Sequence, residues 1–300
     1  MSELLRSYLW LTFCVIVWGS NFVFGKILID YFSPSVITTL RLMMIVLFLL
    51  SLRFFINDKQ KVTYKKDIIL ISLLGIVGVF INQWSFFAGL QTADPTTAAL
   101  VLATTPIVTG FLAAIFLHEK ITLRMIFGTI MAIVGIFYVV TNGSLSSVQV
   151  DKGLGWIVVT MVTFAFMIII TRYLGQRLEP FTITLYSNII GLVVSVPFVF
   201  LLDHPIRISS NMSGWALLIV TAIVVHGIAT LIWNNHIRNV DASKASMLSN
   251  LEPFVAMVVG LIVLAKPITG IELFGSLLIV SGVILSTYQT RRFRRTIVSK

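Results

Sequence analysis

Ionisable side chains inside long apolar stretches are the residues of this chain best suited to chemistry. Glu252 lies about ten residues into the stretch 242–265 and His226 about thirteen residues into 213–237, near the middle of each at about 1.5 Å per residue. An ionisable group at membrane depth is costly and marks a functional site by default. A carboxylate and an imidazole can each carry a proton or bind a charged solute group. We therefore expect Glu252 and His226 to be solute-binding or proton-coupling residues.

Other polar and aromatic side chains fall at broadly similar depth and could face a shared cavity. These candidate solute-binding residues are Asn21, Gln83, Trp84, Thr105, Trp233 and Asn250. A structural alternative exists for each: amides can join helices, at about 0.6 kcal/mol per bond, and indoles can fill an apolar bundle. Glu252 could brace a kink at Pro253, and His226 could be a packing residue.

Two basic residues lie toward the ends of the first two apolar stretches. Lys26 and Arg41 either extend to the membrane interface or attract an anionic group. Pro106 and Pro253 are expected to kink their helices because each lacks a backbone donor. Close helix contact is expected at Gly128, Gly135, Gly275 and Gly282.

The composition indicates that the elements holding these residues lie in a membrane. Of 300 residues, 57% are hydrophobic and only 11% are charged, whereas soluble domains carry roughly 25% charged residues. The net charge of +10 lies in the gaps between apolar runs, so it does not indicate nucleic-acid binding. A single cysteine, Cys14, excludes an intrachain disulfide.

The apolar runs have helical length, because a span needs roughly 20 residues, and they lack the alternation of a barrel strand. The sequence predicts an all-α integral membrane protein with ten transmembrane helices at 8–29, 34–56, 67–91, 95–117, 123–141, 154–171, 181–202, 213–237, 242–265 and 269–290. Lysine and arginine concentrate in alternate gaps; the opposite gaps hold only Lys152, Arg207 and Lys266. The positive-inside rule then predicts that both termini, including the basic tail at 291–300, are cytoplasmic. We expect the protein to lie in the plasma membrane.

Two segments of the chain match each other without a gap. Residues 94–135 and 241–282 share an aspartate at Asp94/Asp241, a proline at Pro106/Pro253 and two glycine pairs. This match indicates one five-helix repeat at 1–141 and another at 154–290, joined by an external linker at 142–153. Because five is an odd number, the second repeat is inverted relative to the first, a plan typical of secondary transporters.

At these positions the chain resembles the drug/metabolite transporter superfamily, specifically its EamA-domain family. The motifs that carry the resemblance are Trp18-Gly19-Ser20-Asn21-Phe22, Leu40-Arg41-Leu42, Thr97-Ala98-Ala99, Thr105-Pro106, Leu117-His118-Glu119-Lys120-Ile121-Thr122, Lys244-Ala245-Ser246 and Leu251-Glu252-Pro253. The resemblance implies ten helices in two inverted repeats around a central cavity, with substrates such as amino acids, sugars, nucleosides, vitamins or drugs. Ala265-Lys266-Pro267 stands where the family usually repeats a Gly-Glu pair.

The sequence therefore predicts a secondary transporter of small organic metabolites, an exporter of amino acids or related compounds, that works by alternating access. The alternatives are a vitamin, sugar, nucleoside or drug carrier of the same fold and, from another class, a membrane-embedded enzyme or receptor. The sequence has no metal-ligand spacing or phosphate-binding loop, so we expect no enzyme activity, metal or cofactor. The expected partners are a small-molecule solute and the lipid bilayer, without nucleic acid; whether the chain forms a homodimer stays open.

Overall fold

The computed structural model describes residues 3–55, 60, 62–116, 121–141, 152–202, 205–236 and 248–287. Within these ranges every regular element is a helix, and the only β-pairing is an isolated antiparallel bridge between Phe32 and Ile208. The predicted basic tail at 291–300 and most of the predicted linker at 142–153 lie outside the described residues.

Seven of the described helices are long and apolar enough to cross a membrane. They are α1 (Glu3–Tyr31), α2 (Pro34–Arg53), α3 (Lys65–Leu90), α4 (Pro95–Phe116), α5 (Leu123–Thr141), α6 (Lys152–Leu174) and α7 (Pro180–Leu202). Three shorter apolar helices follow: α8 (Met212–Ile228, continued by Ala229–His236), α9 (Glu252–Leu264) and α10 (Gly270–Thr287). The predicted all-helical membrane class is confirmed for the described residues, and the helix bounds lie close to the predicted spans. In the predicted span 242–265, a turn at 250–251 precedes α9, and residues 242–247 lie outside the described residues.

Prolines open helices in this fold. Pro34 and Pro95 stand in the first turns of α2 and α4, where the missing N–H would have no intrahelical partner. Helix α4 is broken at Ala103–Thr104, so Pro106 lies at the start of its second segment, Thr105–Phe116. Pro253 likewise opens α9 after a turn at Leu248–Leu251. The expected kinks are therefore breaks, and each proline begins the helical segment after its break.

Two of the described helices contain a π-helical segment, Leu74–Ile81 in α3 and Thr221–Ile228 in α8. Wider turns of this kind are rare and are frequent at functional sites. The segment in α8 carries His226, and the segment in α3 ends directly before Asn82, whose amide donates to the Thr160 backbone oxygen of α6 at 2.8 Å.

Close backbone approach joins α5 to α10, which are in extensive contact. A Cβ built on Gly135 would lie 2.7 Å from the Gly275 backbone oxygen, and Gly128 faces Gly282 in the same way. The expected close contact at these four glycines is confirmed. Helix α1 lies at the centre of the bundle and contacts α2, α3, α4, α8 and α9.

Candidate functional site

The Arg41 guanidinium is the centre of a polar cluster at membrane depth. Arg41 is fully buried and is the bulkiest of the fully buried side chains. It lies seven positions after Pro34, the first residue of α2, which places its Cα about 10 Å below that end of the helix. Its Nη2 donates to His226 Nδ1 at 2.5 Å and to the Thr221 backbone oxygen at 3.4 Å. Its Nη1 donates to Asn21 Oδ1 at 3.4 Å.

The bond to His226 fixes which nitrogen of that ring accepts. A guanidinium can only donate hydrogen bonds, so His226 Nδ1 must be the acceptor. The imidazole is therefore neutral in this arrangement, with its proton on Nε2. Helices α1, α2 and α8 thus bring Asn21, Arg41 and His226 into one hydrogen-bonded cluster.

Three aromatic rings lie at or beside this cluster. The Arg41 guanidinium carbon lies 5.1 Å from the centre of the Phe87 ring, within the range of a cation–π interaction. Trp18 Nε1 donates to the Val225 backbone oxygen at 3.0 Å, one residue before His226 in α8. The rings of Trp18 and Trp233 are tilted against each other with 4.9 Å between their centres. Trp233, a predicted binding residue, therefore belongs to an indole pair beside the cluster.

Arg41 has no anionic partner among the described residues. The two ion pairs found there both involve Lys266, and no carboxylate lies within 4 Å of Arg41. Its Nε is buried and makes no hydrogen bond. The guanidinium is therefore a buried cation whose neighbours, within the described ranges, are all neutral.

Glu252 is the first residue of α9, twelve positions before Leu264, and so lies about 18 Å below that end of the helix. It is half-buried, and its carboxylate makes no hydrogen bond or ion pair with any part of the chain that the structure describes. Its backbone oxygen packs on Gly19 of α1. Gly19 and Asn21 point about 200° apart on their helix, so Glu252 and Arg41 lie against different faces of α1.

The remaining predicted residues have varied surroundings. Thr105 Oγ1 donates to the Leu102 backbone oxygen at 2.6 Å, which satisfies it locally at the break in α4. In α3, Gln83 Oε1 and Trp84 Nε1 are buried without a hydrogen-bond partner, and the Trp84 ring meets Trp156 edge to face. Asn250 is buried in the turn before α9.

The two basic residues that were expected near the interface differ in their environment. Lys26 Nζ donates to three carbonyls at the end of α3, those of Leu90, Gln91 and Ala93, at 2.6–3.3 Å. A cation is stabilised there by the negative end of the helix dipole. Arg41 does not extend to the interface. Its position near a helix end favoured that expectation, and no sequence signal shows that α1, α3 and α8 cover it.

A second polar cluster lies at the face that the charge bias predicts to be external. Lys266 Nζ lies 2.8 Å from Asp94 Oδ2 and 2.7 Å from Glu272 Oε1, beside a cavity of 410 Å³. Burial alone lowers the pKa of Lys266, but its hydrogen bonds and charge attraction to Asp94 and Glu272 outweigh burial and raise the pKa above its ordinary value of 10.5. Lys266, in the segment that stands where a Gly-Glu pair was expected, thus joins the α9–α10 loop to the start of α4.

An apolar cavity of 290 Å³ lies between α4, α5 and α6 and is lined by residues such as Ile107, Ala132 and Met161. None of the predicted binding residues lines this cavity or the polar one beside Lys266. Asn21, His226 and Trp233 lie at or beside the Arg41 cluster, and Asn250 and Glu252 lie at the start of α9. Gln83, Trp84 and Thr105 have the separate surroundings described above.

Comparison with known proteins identifies the family. The model of the EamA-like transporter family matches residues 5–141 and again residues 151–288. The uncharacterized transporter YyaM of Bacillus subtilis is 28% identical over 287 residues, which cover 94% of each chain. An uncharacterized transporter of Archaeoglobus fulgidus is 28% identical over 284 residues, covering 93% of this chain and 98% of the other.

A solved crystal structure shares the fold, with a TM-score of 0.66 at 15% identity over 92% of this chain and 95% of the other. The relatives are named as transporters, and the family model accounts for nearly all of the chain in two consecutive matches. The chain therefore belongs to the EamA-like transporter family, and it is a multi-pass membrane protein of the transporter class.

Proposed function

We propose that this protein is a secondary transporter of small organic metabolites that works by alternating access between two inverted five-helix repeats. The observation that carries the proposal is the bond between Arg41 and His226, which joins α2 of the first half to α8 of the second half at membrane depth. Secondary transporters built from inverted repeats place the solute site where the halves meet, near the middle of the bilayer.

The helix contacts support the inverted arrangement. Seven long apolar helices and three shorter ones would supply the ten spans. Helix α1 contacts α8 and α9, while α6 contacts α3 and α4; α2 contacts α7, and α5 contacts α10. If α1–α5 correspond in order to α6–α10, the contacts of α1 with α8 and α9 correspond to those of α6 with α3 and α4. The contacts α2–α7 and α5–α10 each join a helix to its own counterpart. Two related halves require this pattern. The two consecutive family matches support the same division near 142–153.

Contacts between the halves at both faces suit an alternating mechanism. At the predicted external face, Asp94 pairs with Lys266, and Phe32 bridges to Ile208. At the predicted cytoplasmic face, Gln60 Nε2 donates to the Arg177 backbone oxygen at 3.0 Å and Lys66 Nζ donates to the Tyr173 hydroxyl at 2.8 Å. These polar contacts can break and re-form when either face opens.

The finer proposal is export of amino acids or related compounds from a cell whose plasma membrane holds both chain termini on the cytoplasmic side. The Glu252 carboxylate, which has no partner among the described residues, suits a substrate ammonium group or a proton. Vitamin, sugar, nucleoside and drug carriers are the alternatives within the same fold.

The test begins with metabolites in cells that have and lack the protein, followed by flux of the enriched or depleted compounds in proteoliposomes that contain only this chain. We expect one or more amino acids to accumulate in cells that lack the protein and to cross the proteoliposome membrane down a gradient. Saturable flux of a sugar or nucleoside instead would replace the amino-acid proposal. Absence of saturable flux for every compound that differs between the cells would overturn transport.

A further inference from the structure

We propose that Arg41, supported by Asn21 and His226, is the subsite that binds a carboxylate group of the transported solute. This inference rests on the proposed transport function and narrows its substrates to organic acids, including amino acids. It predicts that a compound loses binding when its carboxylate is replaced by a neutral group of the same shape.

The hydrogen bonds of Arg41 are incomplete, which leaves donors for a ligand. A guanidinium has five N–H donors, and among the described residues Arg41 uses them in three contacts. Two of these, to Asn21 and to the Thr221 carbonyl, are 3.4 Å long, beyond the usual range of about 2.7–3.2 Å. Nε makes no hydrogen bond. A carboxylate that replaced the long contact between Nη2 and the Thr221 oxygen would accept two parallel bonds, from Nε and from the neighbouring Nη2.

Burial without a counter-ion argues against a purely structural role. The Arg41 side chain is fully buried and has no carboxylate within 4 Å in the described part of the chain. An apolar or amide side chain at this position would fill the space without a charge. Lys26 shows the contrast, because its ammonium is held by three carbonyls at the end of a helix.

The surroundings favour a singly charged, partly apolar anion. Asn21 and His226 add neutral polar groups to one positive charge, and Phe87, Trp18 and Trp233 provide aromatic surface close by. One carboxylate neutralises one guanidinium, whereas a phosphate dianion would leave excess charge in the bundle. The neutral His226 has Nε2–H as a further donor.

The experiment measures the thermal unfolding of the purified full-length protein by its tryptophan fluorescence. The probes are L-phenylalanine, L-leucine and benzoate, each paired with its carboxamide, which lacks the carboxylate. We expect at least one acid to raise the Tm of the wild type while its amide does not. We expect Arg41→Gln to lower the apparent affinity for that acid about thirtyfold or more, and Arg41→Lys to fall between the two because it keeps the charge and loses the fork.

The matched control is Arg53→Gln, which removes a charge from the other end of α2 and should leave the response of the Tm to the acids unchanged.

Two results would overturn the inference. One is an Arg41→Gln protein that responds to the acids as the wild type does, and the other is a wild type that binds no acid more tightly than its amide. If Arg41→Gln does not fold, the acid–amide comparison in the wild type and in Arg41→Lys decides. Arg41-dependent acid binding without flux would overturn the transport function and leave Arg41 as a carboxylate-binding site of another kind. Flux of solutes without an anionic group, unchanged in Arg41→Gln, would overturn only this inference.

Discussion

At the scale of single residues, the environment of a charge at membrane depth distinguishes positions that resemble each other in sequence. Lys26 and Arg41 both fall toward the predicted external ends of their helices, yet Lys26 caps a helix and Arg41 is buried among neutral groups. The position along the helix predicted neither environment, because both depend on which neighbouring helices cover the residue.

Residue type and depth single out two other residues of the cluster, although their role in solute binding stays a prediction. Asn21 and His226 were expected in a cavity because polar groups are rare inside apolar runs, and the structure brings them together through Arg41. Thr105 met the same criterion, but its hydroxyl bonds to its own helix. Depth therefore predicts where polar groups lie, but it does not predict whether a backbone group of the same helix already takes up their hydrogen bonds.

Substitution of Glu252 tests whether proton movement is coupled to solute flux. We predict that Glu252→Gln keeps the fold but abolishes the response of flux to an imposed proton gradient, because the amide cannot ionise. The measurement is flux in proteoliposomes with and without a pH step. The control is Glu179→Gln, which neutralises an exposed carboxylate in the loop between α6 and α7. A Glu252→Gln protein with wild-type rate and wild-type gradient response would mean that Glu252 only braces the start of α9.

At the scale of helices, apolar length and proline positions were sufficient to predict most boundaries. The helices α2, α4 and α7 begin at Pro34, Pro95 and Pro180, each within one residue of the start of the predicted span. The π-helical segments of α3 and α8 could not be predicted, because a buried helix that is apolar all round shows no change of period where its turns widen.

The contact between α5 and α10 predicts a large cost for adding one methyl group. Gly135→Ala would place a Cβ 2.7 Å from the Gly275 oxygen, and we expect it to destabilise the protein by about 1–3 kcal/mol. Gly155→Ala is the matched control, since a Cβ there meets nothing within 4 Å. Thermal unfolding of both variants in one detergent provides the comparison. Equal stability of the two variants would show that this helix pair tolerates separation.

The ion pair of Lys266 with Asp94 is expected to hold the external face closed. We predict that Lys266→Met increases the labelling of a cysteine introduced at Thr97, beside the 410 Å³ cavity, in a Cys14→Ser background. Because the pKa of Lys266 is raised in the fold, the contribution of its charge is fully present below the ordinary pKa of 10.5 and is lost as the pH rises from there through the raised value. Labelling should therefore not change around neutral pH through this lysine.

Lys152→Met is the control for that experiment, because Lys152 is exposed at the start of α6. Unchanged labelling of the Thr97 cysteine in Lys266→Met would show that the ion pair does not control access to the cavity.

At the scale of the whole molecule, the charge bias and the internal match predict how the halves are arranged in the membrane. We predict that a cysteine at Ser210 reacts with a membrane-impermeant reagent added outside intact cells, and that a cysteine at Tyr64 does not. Both positions are exposed in the structure. The Cys14→Ser background removes the only native thiol. The reverse pattern would invert the predicted orientation of the whole chain.

The central claim is that the two halves separate at the external face in each transport cycle. Phe32 and Ile208 form an antiparallel bridge between the halves, so their Cα atoms lie about 4.5–5.5 Å apart, within the range that a disulfide spans. The decisive measurement is solute flux in proteoliposomes that contain Phe32→Cys/Ile208→Cys in a Cys14→Ser background, before and after oxidation, with both single-cysteine variants as controls. We predict that oxidation stops flux and that a reductant restores it. Full flux through protein shown to be cross-linked would contradict alternating access at this face.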